Sequence, residues 1–243
     1  MQYLRILLGA SAPALFWLWL FWKRDRWQRE PKLVVLKLYV LGALVAAPAY
    51  FLEMAIPLPG DGWTARLYDN FVRIAFVEEA AKFAIVWIFA YRHREFDEPM
   101  DGIVYGTAVA LGFATVENVL YALWLNEGIL LQRAFTATLA HVGFTGIIGY
   151  HFGFALLKPP HERRLYKFRG LLFAVLAHGV YDVLVTAPNA DLVPRLTVLL
   201  GIPALLINLS LLANRADSAS PFRTDASAPA DGDTDKDTDG ERL

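Results

Sequence analysis

Residues 76–82 read Phe-Val-Glu-Glu-Ala-Ala-Lys, and they place two adjacent carboxylates and one ammonium inside an apolar run over residues 71–91. An ionised carboxylate in hydrocarbon costs several kcal/mol of free energy unless it is paired or lines a polar cavity. Stability therefore does not explain two such groups in succession. We expect Glu78 and Glu79 to serve a function inside the protein.

Apolar runs of about 20 residues recur along the chain and are separated by short charged segments, as is typical of membrane-spanning helices. The sequence predicts an all-α fold, a polytopic membrane helical bundle of about seven transmembrane helices. The predicted spans cover residues 3–22, 33–52, 70–91, 102–125, 130–157, 170–187 and 192–213. The first ends in a tryptophan belt and is predicted to be retained as a span. The fifth is long, and we expect a tilt or break near Gly143, Gly146 and Gly149.

Composition excludes several classes of function. The net charge of −1 gives no indication of nucleic-acid binding, and the absence of cysteine excludes disulfides, thiolate metal sites and a cysteine nucleophile. From residue 214 the sequence is rich in Asp, Ala, Ser and Pro, which cannot bury a core. We predict a membrane-embedded domain over residues 1–213 and a disordered acidic tail over residues 214–243.

The basic residues predict the orientation. The first, third and fifth loops carry most of the lysines and arginines that flank the spans, whereas the alternate loops have only Arg66 and Arg133 nearby. Because basic loops face the cytoplasm, the N-terminus is predicted outside the cytoplasmic membrane and the acidic tail in the cytoplasm.

On this topology, four spans bring polar side chains to one level, roughly 8–15 Å below the outer surface at a rise of about 1.5 Å per residue. Lys82 is spaced to neutralise one of the two glutamates, and the i,i+4 spacing of His178 and Asp182 lets the carboxylate orient the imidazole. The residues at this level are Glu78, Glu79, Glu117, Asn118, His141, His178 and Asp182.

Taken singly, these residues have structural explanations. A histidine or asparagine inside a membrane often joins two helices by a hydrogen bond, and Glu78 with Lys82 could be one buried ion pair. Together they favour a shielded centre in which a carboxylate activates water and imidazoles bind a metal or an oxyanion. The sequence contains neither Gly-x-Ser-x-Gly nor His-Glu-x-x-His.

The order of these motifs resembles the PrsW family of intramembrane proteases, within a wider group that includes the type II CAAX prenyl endopeptidases. The resemblance runs over residues 76–182. It is carried by Glu-Glu-Ala-Ala-Lys at 78–82, Asp-Glu-Pro-Met-Asp-Gly-Ile-Val-Tyr-Gly at 97–106, Gly-Phe-Ala-Thr-Val-Glu-Asn at 112–118, His-Val-Gly-Phe-Thr at 141–145 and His-Gly-Val-Tyr-Asp at 178–182.

The resemblance implies a membrane endopeptidase that cuts a membrane-protein substrate near the extracytoplasmic face, as a site-1 protease does with an anti-sigma factor. It implies that a divalent metal, expected to be zinc, assists, although the prenyl-endopeptidase relatives have also been argued to use glutamate-activated water. The catalytic residues that the resemblance implies are Glu78, Glu79, His141 and His178. We expect one glutamate, Glu79 or Glu78, to be the general base on water and the other to orient the water or bind the metal. His141 and His178 are expected to bind the metal, with Glu79 as a third ligand, or to bind the oxyanion. The expected supporting residues are Lys82, Glu117, Asn118 and Asp182.

Three alternatives stay open at this point. A proton- or ion-coupled transporter would also need buried ionisable groups, but along a path across both halves of the bilayer and often with inverted repeats, which this sequence does not display. A scaffold without chemistry could keep the same fold. A prenyl-protein endopeptidase would need a site open to the cytoplasm, which the predicted topology disfavours.

Overall fold

The computed structural model describes residues 1–187 and 192–223, and within these ranges the regular structure is helical, without strands. The α-helices, in chain order, are α1 (Gln2–Arg24), α2 (Lys32–Ala55), α3 (Gly62–Tyr68), α4 (Val77–Ile85), α5 (Pro99–Trp124), α6 (Ile129–Phe135), α7 (Ala137–Ala155), α8 (Pro160–Val185), α9 (Leu192–Leu196) and α10 (Ile202–Ser218). The π-helical segments Asp69–Phe76 and Val86–Ala90 flank α4, and Thr197–Gly201 joins α9 to α10.

The prediction of an all-α membrane bundle is confirmed. Five helical stretches in the described ranges are long and apolar enough to cross a membrane: Gln2–Arg24, Lys32–Ala55, Pro99–Trp124, Pro160–Val185 and Leu192–Ser218. The two remaining predicted spans correspond to the continuous helix from α3 through Val86–Ala90 and to α6 followed by α7. These two stretches carry the Glu-Glu-Lys cluster and His141.

The predicted break in the fifth span exists, but its expected position was wrong. The chain leaves the helical conformation at Thr136, where φ is −117° and ψ is −88°, between α6 and α7. Helix α7 then runs without interruption through Gly143, Gly146 and Gly149. These glycines allow neighbouring helices to pack closely against α7, which remains continuous through them.

At the other end of the chain, α10 continues past residue 213 to Ser218 and so enters the segment predicted as a tail. Residues 224–243 of that predicted tail lie outside the described residues.

Helix α5 is the centre of the bundle. In its most apolar 18-residue window 78% of the residues are buried, against 17–28% for the other four long apolar stretches. It packs against α7, α2 and α1. A helix surrounded by other helices need not present an apolar face to lipid, and α5 can therefore carry polar residues at both of its ends.

Glycine permits α5 to touch its neighbours backbone to backbone. A Cβ added to Gly149 of α7 would lie 2.1 Å from the carbonyl oxygen of Gly102, and one added to Gly112 would lie 1.8 Å from that of Tyr39. Neither distance leaves room for a methyl group, so both contacts require glycine. Because His141 is about two turns before Gly149 on α7, this packing also sets the position of the imidazole.

We expect Gly149→Ala to lower the stability of the protein by about 2 kcal/mol, because the new methyl group must push α7 away from α5. Thermal unfolding of the detergent-solubilised protein measures the effect. Gly201→Ala is the matched control, since the nearest atom to its added Cβ is Thr197 Cγ2 at 3.7 Å. Equal midpoints for the two variants would contradict the backbone contact.

Candidate active site

The structure brings the four predicted central residues together in the interior. One ligand atom each from Glu78 and Glu79 on α4, His141 on α7 and His178 on α8 lies within 4.8 Å of the others. All four residues are buried, with exposed fractions between 0% and 5%. Local sequence explains the first pair, because an α-helical turn places Glu78, Glu79 and Lys82 on one side of α4.

Lys82 is at the middle of this cluster. Its ammonium group donates to Glu78 Oε2 at 3.0 Å and to Glu79 Oε1 at 2.8 Å, and Nζ lies 3.0 Å from His141 Nδ1. The ring of Phe113 covers it at 4.0 Å from the centroid. A fully buried lysine needs such compensation, since an unpaired charge in this interior would cost several kcal/mol.

The two glutamates have different environments. Glu79 is fully buried, and both of its oxygens are engaged: Oε1 by Lys82 and by His178 Nδ1 at 3.1 Å, and Oε2 by the hydroxyl of Thr145 at 3.1 Å. Glu78 keeps 5% exposure, and within the described ranges only its Oε2 is hydrogen-bonded. Glu78 therefore has one oxygen without a hydrogen bond, whereas both oxygens of Glu79 are hydrogen-bonded to neighbouring side chains.

His141 lies between Lys82 and a second carboxylate. Since the ammonium can only donate, Nδ1 accepts, and the proton is therefore on Nε2, which donates to Glu117 Oε2 at 2.6 Å. Glu117 thus sets the tautomer and the ring orientation of His141.

His178 repeats this arrangement on α8. Its Nδ1 faces Glu79, while Nε2 lies 3.3 Å from Asp182 Oδ2, one turn further along the helix. The ring of Phe144 stacks on the imidazole with centroids 4.7 Å apart. In both histidines Nδ1 points to the cluster and Nε2 to an outer carboxylate.

Sequence reasoning missed Arg133, which it counted only as a charge near an outer loop. Its Nη2 lies 3.1 Å from Glu117 Oε1, and its Nε donates to Asn118 Oδ1 at 2.6 Å. Asn118 also donates to Thr138 Oγ1, at 2.8 Å. Asn118 therefore contacts Arg133 and does not contact the four central residues.

The sequence contained a signal for Thr145, because its i,i+4 spacing from His141 places both residues on one face of α7. It contained no such signal for Arg133, because α6 lies outside every motif.

The residues present fit a divalent metal ion. Two imidazoles and two carboxylates within 4.8 Å are a donor set that zinc accepts, and a metal-binding histidine usually donates its other ring N–H to a carboxylate, as Glu117 and Asp182 allow here. Lys82 contacts three of the four donors, so a metal ion and the Lys82 ammonium would compete for the same oxygens and nitrogen.

A helical membrane bundle that encloses carboxylates and histidines able to hold a metal has the arrangement of an intramembrane metalloprotease. Comparison of the sequence with known families agrees with this class. The family described as PrsW family intramembrane metalloprotease matches residues 30–208, and the chain belongs to this family.

Several individual relatives are named Protease PrsW. The chain is 38% identical over 186 residues to Protease PrsW of Geobacillus kaustophilus, covering 75% of this chain and 80% of that protein. It is 32% identical over 182 residues to Protease PrsW of Bacillus subtilis, covering 75% and 83%. It is also 32% identical over 186 residues to Protease PrsW of Clostridioides difficile, covering 74% and 78%. No solved structure matches the chain significantly. The protein is thus a membrane-embedded protease, and the prediction of its class is confirmed.

Proposed function

We propose that this protease cleaves a membrane-protein substrate near the extracytoplasmic face, with the buried Glu-His cluster as its catalytic centre. The observation that carries the proposal is the contrast between Glu78, which retains a free oxygen, and the fully engaged set around it. The family membership supports hydrolysis over ion transport. An anti-sigma factor is the substrate that the resemblance to site-1 proteases implies.

In this proposal Glu78 is the general base. Its free carboxylate oxygen accepts one proton from a water molecule as the water oxygen bonds to the peptide carbonyl carbon. The carbon–nitrogen bond then breaks, and the leaving nitrogen receives the proton back from Glu78. Lys82, whose ammonium lies 3.0 Å from Glu78 Oε2, is the donor proposed to stabilise the oxyanion that forms between these steps.

His141, His178 and Glu79 are the proposed metal ligands. When bound there, a zinc ion would polarise the substrate carbonyl and lower the pKa of a coordinated water. Glu79 suits this role because its contacts already join α4 to α7 and α8. Glu117 and Asp182 are positioning residues that hold the two imidazoles from behind, and Arg133 holds Glu117.

Glu78→Gln should lower the rate of cleavage by at least about 10²-fold, because glutamine cannot accept the proton from water. The measurement is N-terminal peptide profiling of extracytoplasmic membrane proteins in cells that express wild type or variant at equal level. New N-termini that appear only with the wild type would also identify the substrate.

Glu162→Gln is the matched control, since the same change is made on an exposed residue at the start of α8. The control should leave the profile unchanged. Wild-type cleavage by folded Glu78→Gln protein would exclude Glu78 as the base.

Zinc binding should depend on the two buried histidines. We expect the purified protein, after incubation with zinc and removal of excess ions, to retain about one zinc per chain, and His141→Ala and His178→Ala to retain little. Elemental analysis measures the content independently of activity. His161→Ala is the control, because its side chain is 79% exposed. Equal zinc content in all four proteins would overturn the proposed ligand set.

The proposed orientation can be tested with introduced cysteines, since the natural sequence has none. Asp61→Cys, in the exposed connection before α3, should react in intact cells with a membrane-impermeant maleimide. Glu162→Cys should react only after the membrane is permeabilised. The reverse pattern would put the site nearer the cytoplasm and favour an activity of the prenyl-endopeptidase type.

A further inference from the structure

A second polar cluster lies at the opposite end of α5, in the motif over residues 97–106 that the proposed catalytic centre does not use. Asp25 and Glu30 belong to the connection between α1 and α2, and Asp101 is in the first turn of α5. One carboxylate oxygen of each lies within 4.8 Å of the others, and all three residues are at most 4% exposed. Along α5, Asp101 is separated from Glu117 by about 24 Å.

In Asp25 and Asp101, one of the two carboxylate oxygens accepts hydrogen bonds from backbone N–H groups. Asp25 Oδ2 accepts the backbone N–H of Glu30 at 3.2 Å. Asp101 Oδ2 accepts the N–H groups of Asp97 and Glu98, each at 2.8 Å, and so caps the start of α5. These bonds fix the direction of both side chains.

Hydroxyl groups likewise bind one oxygen of the third carboxylate, Glu30, and one oxygen of Glu98, which is three residues before Asp101. Tyr105 donates its phenolic proton to Glu30 Oε2, and Ser220, just after α10, donates to Glu98 Oε2. Glu98 is fully buried beside this set. Tyr105 of α5 therefore binds the connection between α1 and α2, and Ser220 binds the residue that precedes α5.

The opposite oxygens have no such partners. Asp25 Oδ1, Asp101 Oδ1 and Glu98 Oε1 are buried and have no hydrogen-bond partner within the described ranges. An unpartnered buried carboxylate oxygen costs free energy, and a cation shared by these carboxylates would remove that cost for all three oxygens.

The nearby arginines do not supply that ligand. Arg24 donates to α10, Arg26 lies 4.0 Å from Asp217, and Arg29 donates to the backbone carbonyl of Asp25 rather than to its carboxylate. Among residues 1–187 and 192–222, no ion pair joins a lysine or arginine to any of the four carboxylates.

Burial, more than mutual repulsion, disfavours the ionised form of these carboxylates. Burial, followed by the charges of Glu98 and Asp101, raises the pKa of Asp25 to about 7. Burial, followed by the contact with Asp101, raises the pKa of Glu30 to about 11. Ionised carboxylates at this spacing are stabilised when a cation lies between them.

We propose that Asp25, Glu30 and Asp101, together with Glu98, form a binding site for a hard divalent cation, Mg²⁺ or Ca²⁺. Carboxylate oxygens are ligands that these ions prefer, and the set contains none of the nitrogen or sulfur donors that favour zinc. A bound ion would join the α1–α2 connection to the start of α5 and, through Ser220, to the end of α10.

Thermal unfolding of the metal-stripped, detergent-solubilised protein tests the site. Mg²⁺ or Ca²⁺, added up to about 1 mM at constant ionic strength, should raise the wild-type midpoint by about 5 °C with saturation. The ion that saturates at the lower concentration is the preferred ligand. Terbium luminescence excited through Tyr105, and reversed by Ca²⁺, reports binding directly.

Asp25→Asn and Glu30→Gln should both lose the cation-dependent shift and most of the terbium signal. Without divalent ions their midpoints should be at or above that of the wild type, because an amide replaces a carboxyl group whose ionisation is opposed by burial. Asp97→Asn is the matched control, since Asp97 is exposed, and should respond as the wild type does.

Two results would overturn the proposal. One is a wild-type midpoint that does not respond to either ion, together with no terbium emission, which would mean that the carboxyl groups share protons instead. The other is an equal cation response in wild type, Asp25→Asn and Glu30→Gln, which would place the bound ion elsewhere.

Discussion

The structure depends on the need to compensate three charges on one turn of α4. Glu78, Glu79 and Lys82 cannot satisfy one another, because a single ammonium leaves carboxylate oxygens free in an interior where each free oxygen is costly. Thr145 on α7 and His178 on α8 supply the missing donors to Glu79. Three helices are thereby held at a distance set by hydrogen bonds rather than by apolar packing.

The same requirement continues outward from the cluster. Each histidine turns Nδ1 inward and needs a carboxylate behind Nε2, which Glu117 and Asp182 provide. Glu117 in turn needs a cation, and Arg133 provides it from α6. The break at Thr136 is part of this arrangement, since it separates α6 from α7 and leaves Arg133 beside α5. The polar centre is thus built in layers, with side chains from α4, α5, α6, α7 and α8.

Helix α5 connects this centre with the acidic cluster of Asp25, Glu30, Glu98 and Asp101. Its buried surface and its glycine contacts let it pass through the bundle as a rigid axis, with Glu117 near one end and Asp101 at the other. The two clusters differ in chemistry. The first mixes imidazole, ammonium and carboxylate, whereas the second contains oxygen ligands only. The match to the family spans residues 30–208, so Asp25 and Ser220 lie outside it.

The sequence by itself determined the all-α class and the seven apolar stretches, and it predicted that Glu78, Glu79, His141 and His178 lie at one level of the bundle, where the structure groups them. Hydrophobic length and helical spacing are local properties that a single chain displays. It did not reveal Arg133, the break at Thr136 or the different environments of Glu78 and Glu79. Those depend on how each helix is rotated and how closely it approaches its neighbours. Only the tertiary structure decides them, because side chains distant in sequence compete there for the same few buried oxygens.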